Sequence, residues 1–206
     1  ELDTGETEVI LAKPDTGIYV YRAQKEEKAY YAVSRAVDGA EDLGRITPGV
    51  NASKEPVSEK PGTGMALLRE RKKSVKFCYT DNVNLYYYVK WEAPPNFNVP
   101  NEPFDYLVGE ITADVKDERP LRIRLHCWGS WLNTGGVWYK LPKETIMLRT
   151  NQHPYDWWSG FHENYGTLKS YKEGVVRNYT FNRIRSFADN VVCKKWKVDT
   201  NRICLV

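Results

Sequence analysis

Three histidines, His126, His153 and His162, are the side chains best suited to proton transfer or metal binding near neutral pH. None has the spacing of a catalytic motif: His162 lacks the second histidine four positions on that a helical zinc site needs. The sequence also contains no G-x-S-x-G nucleophile motif and no phosphate-binding loop. Asp156 and Glu163 are the carboxylates that could form a hydrolytic pair, but carboxylates in such segments are more often solubilising. We therefore predict no enzyme activity, no metal and no cofactor.

Four cysteines lie far apart in the chain, at Cys78, Cys127, Cys193 and Cys204. None belongs to a C-x-x-C pair, and no histidine stands at a spacing that would complete a zinc site. An even number of widely spaced cysteines is typical of disulfide-bonded proteins. The spacing therefore favours two disulfides, with four buried free thiols in a reducing compartment as the alternative.

Two N-glycosylation sequons indicate the secretory pathway. They begin at Asn51 (Asn-Ala-Ser) and at Asn178 (Asn-Tyr-Thr). About one sequon is expected by chance from this composition, so their weight is modest. The chain opens at Glu1 without a methionine or a signal peptide, which predicts a processed or excised form. Together with the cysteines, these features predict a secreted protein or an ectodomain on the extracellular face of a membrane.

The composition predicts a folded protein. The chain of 206 residues contains 7 Trp, 14 Tyr and 6 Phe, too many aromatic residues for a solvated, disordered chain. No apolar run approaches the about 18 residues of a membrane-spanning helix. The net charge of +3 is too small to indicate nucleic acid by itself. Basic clusters at 69–76 and 194–197, the second containing Trp196, leave single-stranded nucleic acid as a minor alternative, and we expect no nucleic-acid partner.

Short runs rich in Val, Ile and Tyr, separated by turn residues, predict β-strands along most of the chain. The clearest strand, 121–127, alternates strictly between apolar and polar residues. Its inward positions are Leu121, Ile123, Leu125 and Cys127, and its outward positions are Arg122, Arg124 and His126. A strand with one apolar and one polar face is typical of antiparallel sheets.

The remaining elements complete an all-β prediction. Residues 65–73 (MALLRERKK) are predicted to form a helical turn, and residues 38–64, rich in Gly, Pro and charge, a long surface loop. The other predicted strands are 8–13, 17–22, 29–37, 74–80, 85–91, 106–115, 136–141, 145–149, 167–172, 175–181, 191–198 and 202–206. We therefore predict a single elaborated domain over 1–206, an antiparallel β-sandwich or barrel with at most one short helix.

Two segments resemble an immunoglobulin-like sandwich. Trp91 follows Cys78 at the spacing of the strand B cysteine and the strand C tryptophan, and residues 179–193 resemble strand E, the E–F corner and the strand F cysteine. The resemblance implies a V-type domain with insertions, bridged by Cys78 with Cys193, with Cys127 and Cys204 as a second disulfide. It further implies similarity to herpesviral immune-evasion ectodomains, and hence a host immune receptor or ligand as partner.

Five of the seven tryptophans, Trp128, Trp131, Trp138, Trp157 and Trp158, fall between 128 and 165. Within this stretch, residues 150–166 have no period and many turn formers, which predicts a loop. Tyrosine and tryptophan on loops offer rigid contact area at low entropic cost. The alternative is that one tryptophan folds under the loop and covers the core. The candidate binding residues are Tyr155, Asp156, Trp157, Trp158, Phe161, His162 and Tyr165.

The sequence therefore predicts a secreted or surface-displayed glycoprotein domain that binds a protein receptor or ligand. The alternative is a secreted toxin-like or lectin-like protein that binds glycans or a membrane surface through the same aromatic residues. Tryptophan and tyrosine also stack on sugars and settle at membrane interfaces, so this alternative requires no different side chains.

Overall fold

The computed structural model describes residues 2–3, 9–10, 21–23, 25–77, 80–111, 117–127, 132 and 144–206. The chain divides into two compact units. The smaller unit is Tyr21–Gly62, and the larger one comprises Glu1–Val20 and Thr63–Val206. The candidate binding residues all belong to the larger unit.

The smaller unit contains short strands and much of the predicted surface loop. Its strands β3 (Glu27–Ala29) and β6 (Val57–Glu59) pair antiparallel, as do β4 (Ala36–Val37) and β5 (Ala40–Glu41). A 3₁₀ turn spans Leu43–Arg45. No residue of 38–64, a stretch that the structure describes completely, is buried. This stretch is therefore at the surface as predicted, but it includes two of these strands.

The larger unit is organised around an open eight-stranded sheet with the order β14-β10-β11-β9-β8-β7-β1-β2. A separate short hairpin pairs β12 with β13. The strand bounds are β1 Leu2–Asp3, β2 Val9–Ile10, β7 Ala66–Phe77, β8 Thr80–Glu92, β9 Glu102–Ile111, β10 Arg119–Arg124, β11 Ile146–Thr150, β12 Phe161–His162, β13 Val176–Arg177 and β14 Val198–Leu205. The predicted all-β fold with at most one short helix is confirmed, and the structure shows that its sheets are open.

Strand β10 shows both a confirmed pattern and a correction. Leu121 and Ile123 are buried while Arg122 and Arg124 are half-buried, as the alternation predicts. Both neighbours of β10, however, run parallel to it: β11 on one side and β14 on the other. The prediction of antiparallel neighbours from the polar face of β10 was therefore wrong. The antiparallel part of the sheet consists of β7, β8, β9 and β11, each paired with the next.

Residues 66–73 form part of strand β7, where a helical turn was predicted for 65–73. Leu67 and Leu68 are buried, and the charged residues that follow are exposed. Pairing with β8 along almost its whole length decides the conformation of β7. Strand propensity depends on such neighbours more than helix propensity does, which explains the wrong prediction.

A helical segment occupies 179–195, where the sequence analysis predicted strands at 175–181 and 191–198. It consists of α1 (Tyr179–Phe187), a π-helical turn (Ala188–Val192) and α2 (Cys193–Lys195). Its buried positions recur every three or four residues: Tyr179, Thr180, Arg183, Ile184, Phe187, Ala188, Val191 and Val192. The residues that resemble immunoglobulin strands E and F are thus helical, and Cys78 lies outside the described residues. In the part of the chain that the structure describes, no helix is long and apolar enough to span a membrane.

The main core lies between the helical segment and one face of the sheet. The rings of Tyr106 on β9 and Phe187 on α1 stack with their centroids 3.8 Å apart. Successive strand residues point to opposite faces, so Leu107, next to Tyr106, belongs to a smaller cluster on the other face with Val83 and Met147. Both faces of the central strands are therefore covered.

The preferred disulfides are not formed. Cys127, Cys193 and Cys204 carry free thiols. The register of the sheet places Cys204 beside Arg122, five positions before Cys127, and Cys193 lies on the helical segment. Disulfide formation requires the two Cα atoms to approach within about 7 Å, and this register keeps the thiols of the second predicted pair apart.

We expect the three thiols to differ in reactivity. Cys127 and Cys204 are exposed, whereas burial, and next the nearby Asp189 carboxylate, raise the pKa of the Cys193 thiol. A smaller thiolate fraction reacts more slowly. A short iodoacetamide pulse at neutral pH, read by peptide mass spectrometry, should label Cys127 and Cys204 before Cys193. A peptide bridging Cys127 to Cys204 in the native protein would contradict this assignment.

Candidate functional site

The candidate binding residues lie on the segment 151–166, which follows strand β11 and includes the short strand β12. The structure separates them into exposed and buried groups. Trp157 is 69% exposed, Tyr155 50% and Tyr165 39%. Asp156 and Phe161 are buried, and Trp158 and His162 are half-buried. The predicted loop therefore contains both a contact surface and the groups that hold it.

The buried carboxylate of Asp156 is the centre of this loop. Its Oδ1 accepts hydrogen bonds from the Gln152 side chain and from the backbone N–H of Trp158, both at 3.0 Å. Its Oδ2 accepts one from the backbone N–H of Gly160 at 2.9 Å and one from the hydroxyl of Thr180 on α1. Hydrogen bonds to ionised groups are stronger than neutral ones, so a single side chain fixes both the turn and its position on the helix.

The turn held by Asp156 contains two consecutive tryptophans in the left-handed region, Trp157 at φ +52° and Trp158 at φ +64°. Each such residue costs on the order of 1–3 kcal/mol unless surrounding contacts impose the conformation. Gly160 follows at φ +100°, and a Cβ there would overlap the Arg177 carbonyl oxygen. The loop therefore keeps a strained backbone that projects Trp157 into solvent.

Trp158 packs inward and contacts His126. Its indole Nε1–H donates to the His126 carbonyl oxygen at 3.1 Å, and the two rings meet edge to face at 5.0 Å. The ring also packs against the main core. Of the two neighbouring tryptophans, one is therefore a support of the loop and the other is presented to solvent.

His126 is half-buried, whereas the sequence analysis placed it on the solvent face of a regular strand. Strand β10 ends at Arg124, so the alternation no longer applies at His126, and Cys127 is exposed instead of inward. The ring Nδ1 lies 3.0 Å from the Cys127 carbonyl oxygen, and Nε2 accepts from the Gln152 backbone N–H at 3.2 Å. This arrangement uses the neutral ring, with the proton on Nδ1.

The remaining predicted residues have structural contacts of their own. Phe161 packs against Phe97 and Tyr179, with centroids 5.3 and 4.9 Å away. The His162 ring lies 4.9 Å from that of Tyr171, and Tyr165 lies edge to face on Phe161 at 5.7 Å. Phe161 is consequently a core residue, which the loop pattern did not reveal.

Asp156 and Glu163 do not act as a free carboxylate pair. All four hydrogen bonds of Asp156 hold the loop. Glu163 bonds the Arg177 side chain at 2.5 Å and the Val175 backbone N–H at 3.2 Å. The Arg177 guanidinium, with the Val175 amide, keeps the pKa of Glu163 below its ordinary value despite an opposing desolvation effect. Both carboxylates thus have structural partners.

Several exposed apolar residues near the site were not predicted. They are Leu168, Tyr171, Val175, Val176 and Phe181. Residues 167–172 and 175–181 were assigned to strands, where alternate side chains would be covered. Two of the five, Val175 and Val176, are β-branched and resemble strand residues in composition, so local pattern gave no signal of their exposure.

Among the described residues, no three His, Cys, Asp or Glu side chains are grouped so that they could hold a metal ion. Comparisons of the chain with models of protein families, with curated proteins and with solved structures find no match. Trp128, Trp131 and Trp138 lie outside the described residues.

We expect the fold to lose stability in mild acid because of His126. Burial, and next the repulsion from Arg149 and Arg183, lower the pKa of His126 below its ordinary value of 6.5, although its bond to the Cys127 carbonyl acts in the opposite direction. Well above pH 6.5 the ring is neutral in both states. As the pH falls below 6.5, the unfolded chain binds a proton that the folded chain does not, so stability decreases.

Urea unfolding of the wild type and of His126→Gln at pH 7.5 and pH 5.5 measures this effect. The glutamine keeps an acceptor for the Gln152 N–H but does not titrate. We expect the wild type to lose more unfolding free energy than the variant between the two pH values, since contributions from other groups are common to both. Equal losses would show that His126 does not contribute to the pH dependence.

Proposed function

We propose that this chain binds a protein partner, with Trp157 as the central contact. The observation that supports the proposal is the exposure of a large aromatic ring on a strained backbone that a buried carboxylate holds in place. Strained conformations persist where surrounding contacts impose them and are concentrated at functional sites. A backbone fixed before binding loses little entropy on binding, which favours high affinity.

The neighbouring aromatic residues extend the proposed surface. Tyr155 is half exposed, and its ring lies 6.4 Å from that of His126, the same ring on which Trp158 packs. Tyrosine and tryptophan dominate the strongest contacts of protein interfaces because they combine apolar area with a polar group. Four further properties stay predictions from the sequence: secretion, surface display, the relation to viral immune-evasion proteins and the absence of enzyme activity.

A second candidate function is binding to an anionic membrane surface or to glycans. Leu168 is fully exposed and Tyr171 is 58% exposed. Each is followed directly by an exposed lysine, Lys169 and Lys172 respectively. Apolar and basic side chains on one short loop are typical of segments that contact the interface of an anionic bilayer. The loop of residues 167–172 therefore carries the contacts that this candidate would use.

Substitution of Trp157 by glycine separates binding from folding. Glycine tolerates φ +52° without strain, so we expect the unfolding free energy to stay within about 1 kcal/mol of wild type. Loss of a central aromatic contact should weaken partner binding by about 2–4 kcal/mol. The measurement is chemical unfolding together with capture of cell-surface proteins on immobilised wild type and variant, followed by titration of the captured protein.

Trp158→Gly is the matched control, because the adjacent residue has the same side chain and a similar backbone conformation. Its half-buried ring packs on the core, so this variant should lose about 2–3 kcal/mol of folding stability. The proposal is contradicted if Trp157→Gly binds its captured partner as tightly as wild type. Retention on phosphatidylserine vesicles that depends on Leu168 and Lys169, without protein capture, would instead support the second candidate.

A further inference from the structure

A surface groove of about 490 Å³ lies beside the start of helix α1. It is lined by Pro94, Pro95, Val176, Arg177, Asn178, Tyr179 and Asn182. Its size falls within the range of about 300–1,000 Å³ that is typical of sites for small organic ligands. One of its lining residues, Asn178, is also the first residue of a sequon, so a ligand of this groove could be attached to the chain itself.

The amide of Asn178 has one engaged end and one free end. Its Oδ1 accepts from the Phe181 backbone N–H at 3.3 Å and so forms the N-cap of α1. The amide nitrogen Nδ2 has no hydrogen-bond partner among the described residues, and the residue is exposed. The cap leaves free the atom to which an N-linked sugar is attached.

Asn51, at the other sequon, has no such free end. Its Nδ2 donates to the carbonyl oxygens of Val33 at 2.9 Å and Arg45 at 3.1 Å, and its Oδ1 accepts from the Thr47 N–H at 2.8 Å. A glycosylated asparagine retains a single N–H on that nitrogen. A sugar at Asn51 would therefore remove one of these two Nδ2 bonds and weaken the contact of Asn51 with Val33 or with Arg45.

We propose that Asn178, and not Asn51, carries an N-linked glycan in this protein, and that the first N-acetylglucosamine of that glycan occupies the groove. The apolar side chains of Pro94, Pro95 and Val176 offer surface for the sugar ring and its acetyl methyl group. Asn182, whose Nδ2 lies 3.4 Å from the Pro95 carbonyl oxygen, adds polar atoms at the same wall. The attached sugar then covers the apolar surface of the groove, which would otherwise face water.

The modification requires a lipid diphosphate-linked oligosaccharide as the second substrate. The Asn178 amide nitrogen forms a bond to C1 of the terminal N-acetylglucosamine and loses one proton, while the bond from C1 to the diphosphate oxygen breaks and the lipid diphosphate leaves. The hydroxyl of Thr180, which completes the sequon, is fully buried and donates to Asp156. The transfer must therefore precede the docking of α1.

The glycan would border the proposed contact surface. A Cβ added at Gly160 would lie 2.9 Å from the Asn178 Cα, so the sugar-bearing residue adjoins the turn that presents Trp157. The inference does not depend on partner binding, because occupancy of the sequons and stability can be measured on the isolated protein.

The first test is the position of the glycan. The full chain, directed into the secretory pathway of human cells by a heterologous signal peptide, is purified in folded form and mapped as glycopeptides by mass spectrometry. We expect occupancy at Asn178 and none at Asn51, with one glycan lost in Asn178→Asp. Aspartate is a good N-cap, so this variant keeps the cap of α1 and removes only the sugar. A glycan at Asn51 in folded protein, or none at Asn178, would overturn the proposal.

The second test separates the sugar in the groove from the rest of the glycan. An endoglycosidase that leaves one N-acetylglucosamine on Asn178 is compared with peptide N-glycosidase, which removes the whole glycan and produces aspartate. We expect the single sugar to retain the Tm of the intact glycoprotein and complete removal to lower the Tm to that of Asn178→Asp. Equal Tm values for the two digests would show that the first sugar does not occupy the groove.

Discussion

The carboxylate of Asp156 is the interaction on which the proposed contact surface depends. It accepts two backbone N–H bonds inside the turn of the two tryptophans and a hydroxyl bond from helix α1. Removal of this acceptor would leave buried donors without a partner, and each buried unsatisfied group costs about 1–3 kcal/mol. The left-handed conformation of Trp157 and Trp158 therefore persists because these bonds offset its strain. The presentation of Trp157 is a property of the folded core, not of the loop alone.

Helix α1 can provide the Thr180 hydroxyl because a buried cation holds it against the sheet. The Arg183 guanidinium lies 4.0 Å above the Phe104 ring and donates to the Thr150 hydroxyl at 2.8 Å and to the Asn151 carbonyl at 2.6 Å. Thr150 is the last residue of β11, where the candidate segment begins. These contacts offset part of the cost of burying the charge, so they require a defined position of the helix relative to β9 and β11.

A buried ion pair lies on the same side of the sheet as Arg183. Lys90 and Glu92, both fully buried on β8, form an ion pair of 2.6 Å, and Glu92 also accepts from Asn96 at 3.0 Å and from Tyr106 at 3.1 Å. The Tyr106 ring in turn stacks on Phe187 of α1. Desolvation of two charges opposes much of their attraction, so we interpret the pair as a determinant of geometry more than of net stability.

Features of the fold and of the site could be predicted from the sequence where contacts between neighbouring residues determine them, and not where contacts with distant segments do. The alternation in β10 and the loop character around Trp157 were predictable, since both follow from neighbouring residues. The helix at 179–187 was missed because Arg183 occupies a buried position and interrupts the apolar period. The first part of β7, at 66–73, and the half-buried position of His126 were missed because distant segments decide both. The bond of Asp156 to helix α1 has no signal in its own neighbourhood, since Thr180 lies 24 residues away in the chain.

Hydrogen exchange at the backbone amides of Trp158 and Gly160 tests whether the Asp156 carboxylate holds the turn, because both amides donate to it. Exposed loop amides without partners exchange freely, whereas these two can exchange only when the turn opens. We expect slow exchange of both amides in the wild type and fast exchange in Asp156→Ala, with the amides of β9 still protected in both proteins. Fast exchange at Trp158 and Gly160 in the wild type, or slow exchange unchanged in the variant, would contradict this expectation.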